Sequence, residues 1–262
     1  MLSARERDDL RLIPLFASLD EETLTQLGGM SVVRHYDRGE VIEVEGARGG
    51  SLRFVKSGLV KLSTTSADGR EQVLRLVPAG ESFNLMAALD GQPSAATATA
   101  LDRTTIYSIR RDALSRLLAE RPEVARAAMV ALAATTRELI SLAKDLALYH
   151  VDERLARLLL DQERCACERC RKHYMTQQEM AAIIGTAREM VGRALHNFQA
   201  AGIIELHHGH VVVIDHERLR AVAREQPGSP RARRRGRHAA LPVASEASQA
   251  SDADTTALDV AR

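Results

Sequence analysis

The chain has 262 residues, is 45% hydrophobic, and carries 36 Lys+Arg against 35 Asp+Glu, a net charge of +1. That length admits one or two domains, and the near-neutral balance excludes a global attraction to nucleic acid, so any such surface must be local. With no Trp and 3% aromatics, the core must be aliphatic.

The first ten residues, MLSARERDDL, are charged where a signal peptide needs an apolar stretch. No apolar run is long enough to cross a bilayer. The expectation is a soluble cytoplasmic protein with no membrane partner. All 3 cysteines fall within CACERC, as Cys165, Cys167 and Cys170. An odd, clustered set in such a chain argues against a disulfide scaffold.

From Leu15 to about Ile109 the pattern is strand-like. EVIEVEG, LRFVKSGLVKLSTTS and EQVLRLV alternate apolar and polar residues, with Gly39, Gly46, Gly58, Gly69 and Gly80 between them. Short strands at regular spacing predict an antiparallel barrel, sandwich or roll. Asp68-Gly69 within SADGRE marks a hairpin.

The period then changes. Between Asp112 and His150 there is one proline, Pro122, and no glycine, and good helix formers dominate. After Pro122 one long helix is predicted. Leu132, Leu139 and Leu146 recur every seven residues, with Thr135, Leu142 and Tyr149 three after each. That is an a/d seam, which serves either a second copy of the chain or packing against its own roll. VDERLARLLLDQER predicts a further amphipathic helix. After Gln226 the sequence is rich in Arg, Ala, Ser and Asp without periodicity, and a disordered tail is expected. Its RARRRGR is either a solvated arm or a nonspecific phosphate contact.

Between these lie two capping-box patterns, Thr176 with Glu179 and Thr186 with Glu189. They predict helices over Gln177 to Ile184 and Ala187 to Ala201, with Gly185 at the turn. So tight a turn makes a helix-turn-helix. On the second helix Val191, Leu195 and Phe198 form the buried stripe. Arg188, Glu189, Gly192, Arg193 and His196 then face outward. IIEL and HVVVI around HHG predict a small β-hairpin, a wing. Arginine donates twice to guanine, and a carboxylate accepts from cytosine N4. Residues near the start of a recognition helix enter the major groove. Gln177 and Thr186 complete the candidate DNA-binding set.

TQQEMAAIIGTAREMVGRALHNFQAAGII resembles the helix-turn-helix of the catabolite activator/FNR (Crp-Fnr) superfamily of bacterial transcription regulators. IPLFASLDEETLTQL, YDRGEVIEVEG, SGLVKLSTTSADGREQVL and PAGESFNLMAALDG resemble its β-roll. The resemblance spans roughly Leu12 to Ala223. It implies an α+β fold, with a cyclic-nucleotide-binding-type β-roll over residues 1–112, a dimerisation helix over 113–150 and a winged helix-turn-helix over 151–226, leaving 227–262 as the tail. It implies a homodimer on a palindromic double-stranded operator, with RNA polymerase as a partner if the protein activates; no nucleophile elbow, phosphate loop or zinc-protease motif in the sequence points to an enzyme. Arg188, Glu189 and Arg193 match the catabolite-activator spacing, which implies a TGTGA-like half-site; the FNR-type branch lacks the first Arg. The alternative is a ligand-binding module that regulates a protein partner.

The effector is less legible. The resemblance places a ribose-binding Glu at Glu81, after Gly80 and before Ser82, or leaves Glu81 a structural role. Ser94 and Ala95 stand where cyclic-AMP binders carry Arg and Ser, so cyclic AMP is not the expected ligand. Cys165, Cys167, Cys170 and His173 offer three thiols and an imidazole, suited to zinc, to an iron–sulfur cluster, to redox chemistry, or to nothing more than a loop. The N-terminal cysteines of FNR-type oxygen sensors have no counterpart. His35 and His150 are the conceivable haem ligands.

Overall fold

The computed structural model describes residues 10–11, 13–163, 175–207 and 210–224. Helix α1 (Glu21–Met30) leads into eight strands, β1 (Ser31–Tyr36), β2 (Val41–Glu43), β3 (Ser51–Ser57), β4 (Leu59–Thr65), β5 (Glu71–Pro78), β6 (Ser82–Phe83), β7 (Thr97–Ala100) and β8 (Thr104–Arg110), with α2 (Leu85–Asp90) between β6 and β7. They form two four-stranded sheets, ordered β1-β8-β3-β6 and β2-β7-β4-β5. Every pairing within them is antiparallel. This is the expected roll.

Alternation along the strands sorts side chains into two cores. Val55, Val60, Val77, Phe83, Ala98, Ala100 and Ile106 are buried between the sheets. Leu52, Phe54, Tyr107 and Ile109, on the other face, pack with Leu24 and Leu27 of α1 and with Leu114 and Leu117. The last two lie on α3 (Arg111–Glu120), which closes the roll. Asp68-Gly69 turns the β4–β5 hairpin, with the Gly69 N–H donating to the Ser66 carbonyl over 2.9 Å. Gly58 joins β3 to β4 at φ +100, where an added Cβ would lie 2.7 Å from the Thr104 Cα, so only glycine fits.

Pro122 opens α4 (Pro122–Leu148), 27 residues long, at the helical position that tolerates a missing N–H. Val124 and Ala128 bury against the roll, and Leu132 packs partly against it. Beyond them Leu139, Ile140 and Leu146 are exposed.

The remaining elements are α5 (Val151–Glu163), α6 (Gln177–Ile184), α7 (Arg188–Ala200), β9 (Ile204–His207), β10 (His210–Val213) and α8 (His216–Val222). They share one core of Leu155, Leu159, Met180, Ile184, Val191, Leu195, Phe198, Ile204 and Leu219. Strands β9 and β10 pair antiparallel as the wing. Among the described residues no helix is long and apolar enough to cross a membrane.

Candidate nucleic-acid interface and sensor

Helix α6 begins as its sequence predicts. The Thr176 hydroxyl accepts from the Glu179 N–H over 3.1 Å, and the Glu179 carboxylate accepts from the Thr176 N–H over 2.7 Å. The helix ends in a Schellman turn, with Gly185 at φ +68 and the Thr186 N–H donating to the Ala181 carbonyl over 3.0 Å.

The second capping box does not form. Ala187, not Thr186, is the N-cap of α7, and no side chain caps it. The Schellman bond draws Thr186 into the end of α6, so α7 starts one residue later than the Thr186–Glu189 pattern predicts. Glu189 is thereby left on the outward face rather than folded back onto the helix start.

The stripe is confirmed: Val191, Leu195 and Phe198 are buried, joined by Ala194. Arg188, Glu189, Arg193 and His196 are exposed together on the opposite side of α7. Gly192 makes room inside the motif, since a Cβ there would come 3.4 Å from the Gln177 Oε1. Gln177 thus lies against α7, between the two helices of the motif. The wing stands next in the chain, with the Glu205 carboxylate accepting from the His207 Nε2–H over 2.7 Å.

This head is seated on the rest of the chain. The Gln72 side-chain amide, on β5, donates to the Ile183 carbonyl over 3.3 Å. Arg154 on α5 donates to the Ile184 carbonyl over 2.6 Å. Burial pushes the Arg154 guanidinium below its ordinary value, opposed by the nearby Asp145. At the junction of α4 and α5, Arg157 donates to the Asp145 carboxylate over 3.1 Å and to the Ala223 carbonyl over 2.9 Å. It also stacks 3.5 Å above the Tyr149 ring. Glu153 accepts from the His150 N–H over 2.8 Å and pairs with Arg224.

In the roll, Gly80 and Glu81 are fixed by backbone bonds to Val55: the Gly80 N–H donates to the Val55 carbonyl over 2.8 Å, and the Val55 N–H to the Glu81 carbonyl over 2.9 Å. The Ser82 carbonyl accepts from Arg75 over 3.3 Å. Ser94 is buried, and its hydroxyl donates to the Ala96 carbonyl over 3.0 Å, while Ala95 is exposed. The cation beside Glu81 is Arg75, whose Nη2 lies 2.5 Å from its carboxylate. Sequence reasoning missed it. The signal was present in β5, where an arginine stands at period two between Val73 and Val77, both buried.

His35 is exposed on β1, 3.1 Å from the Thr105 hydroxyl, and His150 lies between α4 and α5. The structure does not bring these two histidines together. Cys165, Cys167, Cys170 and His173 lie outside the described residues.

Comparison with known proteins agrees with this architecture. Residues 33–121 match the cyclic nucleotide-binding domain, and residues 153–222 match the Crp-like helix-turn-helix domain. The CRP-like cAMP-activated global transcriptional regulator of Mycobacterium tuberculosis is 33% identical over 196 residues, covering 72% of this chain and 87% of that protein. The chain belongs to the Crp-Fnr superfamily. The cyclic AMP receptor protein of Thermus thermophilus, another relative, is 32% identical over 210 residues, covering 80% of this chain and 96% of that one. Among solved structures, a Crp/Fnr-family regulator from Eubacterium rectale superposes with TM-score 0.70 at 21% identity, covering 82% of this chain and all 100% of that one. The Xanthomonas campestris regulator CLP gives TM-score 0.65 at 24% identity, covering 74% and 99%. Both support the fold. Crp-Fnr proteins are DNA-binding transcription regulators, not enzymes, and this chain carries both halves of that arrangement.

Proposed function

We propose that this Crp-Fnr chain is a homodimeric regulator that reads a palindromic operator with TGTGA-like half-sites, under control of a signal received in the roll or at the Cys165/Cys167/Cys170 cluster. The observation that carries the reading is the outward face of α7. Arg188, Glu189 and Arg193 stand exposed there, opposite a fully buried stripe, on a helix whose start is free of side-chain caps. Arg188 and Arg193 supply bidentate donors for guanine, and Glu189 supplies an acceptor for cytosine N4. Gln177, Thr186 and His196 flank them as backbone-positioning contacts.

The dimer rests on α4. Met129, Val130, Leu139, Ile140 and Leu146 are exposed apolar residues on one helix, and a second copy of α4 buries such a stripe. Two-fold symmetry then places two heads on two half-sites. A gel-shift titration with a TGTGA-type palindrome and a scrambled duplex, at moderate salt, tests the reading. Preference for the palindrome is expected. Equal binding of both duplexes would remove the base-reading role of α7. If the chain activates, RNA polymerase is its further partner.

A further inference from the structure

The first turn of α7 carries an apolar side chain among its charges. Met190 is 40% exposed, and among the described residues it is the only exposed large apolar side chain on α7. Val191, Leu195 and Phe198 of the same helix are buried in the head. At 3.6 residues per turn Met190 lies about 60° around the helix from Arg193 and about 160° from Arg188. Arg188 and Met190 therefore form the two flanks of a face centred on Glu189 and Arg193.

Ala187, one turn earlier, is exposed as well. It is the N-cap of α7 and supplies no side-chain oxygen to the free N–H groups. Ser, Thr, Asp or Asn is the ordinary choice at that position, and alanine is a poor one. The Ala187 carbonyl accepts from the Met190 N–H over 3.1 Å, which holds the two residues together at one corner of the helix start. Two local rules are thus broken side by side, by a cap without an oxygen and by a thioether in water, at the end of the helix assigned to base reading.

We propose that Ala187 and Met190 read a thymine, their side chains packing on the C5-methyl of one thymine in a half-site, beside a guanine taken by Arg193. The C5-methyl of thymine is the apolar group that base edges present in the major groove, and small or flexible apolar side chains pack on it. A thioether on an unbranched chain fills such an irregular gap. The TGTGA-like half-site puts a thymine before each guanine, so a methyl stands next to every base that the arginines take. Entry of α7 into the groove then removes the exposed apolar corner from water, and the contact discriminates thymine from cytosine and from uracil. The inference rests on the reading of α7 as the base-reading helix.

The test is a gel-shift titration of the full chain with the TGTGA-type palindrome and with duplexes in which deoxyuridine replaces, one at a time, each thymine of one half-site on either strand. The exchange removes a single methyl and keeps every hydrogen-bonding group of the base. At one position it is expected to weaken binding about fourfold, the effect of burying one methyl. Met190→Ala should bind the thymine and uracil duplexes equally, whereas Met190→Leu, which stays apolar, should keep the difference. The side chain is exposed, so these replacements leave the fold intact, and thermal melts check that. Ala187→Ser supplies the missing cap, and should raise the melting temperature while it reduces the methyl discrimination. No effect of uracil at any position, or the same effect in Met190→Ala as in wild type, overturns the proposal; undiminished discrimination in Ala187→Ser overturns the share given to Ala187. Preference for palindrome over scrambled duplex without a methyl effect overturns only this inference, whereas loss of that preference in wild type overturns the base-reading role of α7 with it.

Discussion

Gln72 of the roll hydrogen-bonds the Ile183 carbonyl in the helix-turn-helix, with its side-chain amide 3.3 Å away. One strand of the roll thus satisfies a carbonyl at the end of α6 that the helix itself leaves unpaired. Arg154 takes the next carbonyl, that of Ile184. The turn of the reading head is held from two sides.

Gly185 sits at that point with no room for a side chain. Its φ is +68, and an added Cβ would lie 2.4 Å from the Leu146 Cδ2 and 2.6 Å from the Gln72 Oε1. Gly185→Ala is expected to lower stability by about 1–3 kcal/mol, through left-handed strain and overlap together. Thermal melts measure the sum. Gly185→Ala with Gln72→Ala relieves half of the overlap and should recover part of the loss; no recovery would mean that the seat on β5 does not exist in solution.

The two capping patterns make opposite predictions. Thr176→Ala removes a formed box and should cost about 1 kcal/mol, while Thr186→Ala removes no cap and should stay within about 0.5 kcal/mol. Chemical denaturation of the two variants side by side checks this. Equal losses would place a working cap at Thr186 after all.

Arg193→Ala should reduce the preference for palindrome over scrambled duplex by about 1–3 kcal/mol. Dimerisation and melting temperature should not move, because the side chain is exposed. A phosphate-only role would instead weaken both duplexes alike and lower the salt slope by about one.

Arg157 is nearly fully buried, with Asp145 as its ion-pair partner and the Ala223 carbonyl as its second acceptor. Arg157→Met removes the buried guanidinium from that carboxylate and carbonyl, and should cost about 3–5 kcal/mol. Pairing it with Asp145→Asn should return part of the loss in a double-mutant cycle. Strict additivity of the two changes would show that the pair is not coupled.

Asp20 caps α1 by accepting from the Thr23 N–H over 2.8 Å. That backbone bond first, then the Thr23 hydroxyl and the Arg121 guanidinium, hold its carboxyl below the ordinary carboxylate range. A depressed folded pKa stabilises in full above the unfolded value of about 3.9, and the contribution disappears as pH falls through the lower folded value. Asp20→Asn keeps an acceptor but cannot titrate, so its melting temperature should fall less steeply than wild type below about pH 4. Parallel pH profiles for the two proteins would exclude Asp20 as a source of the acid limb.

The sequence was most readable where one local rule acts alone. The α6 bounds, its capping box and the Val191/Leu195/Phe198 stripe follow from hydroxyl, carboxylate and apolar spacing within a dozen residues. The Asp68-Gly69 hairpin and the Pro122 start of α4 are equally local. Thr186 escaped because two local rules competed for it, and the Schellman turn of the preceding helix prevailed over the cap of the next. Arg75 escaped for a different reason. Its three partners, Glu81, Ser82 and Glu138, lie 6, 7 and 63 residues away, and the last contact exists only once α4 lies against the roll. The seam residues were legible as apolar positions, but Leu146 also meets the Gly185 turn, a contact that no heptad count reveals.

Helix α4 has 27 residues, and at 1.5 Å per residue it is a rod about 40 Å long. It is held at one end by the roll and at the other by Arg157. Such a rod works as a lever: a tilt of about 5° at the sensor end displaces the far end by roughly 3.5 Å, more than the length of a hydrogen bond. Contact between a recognition helix and its bases is lost or made over that distance, so in the regulator proposed above a small angular change at the roll would reach the whole outward face of α7.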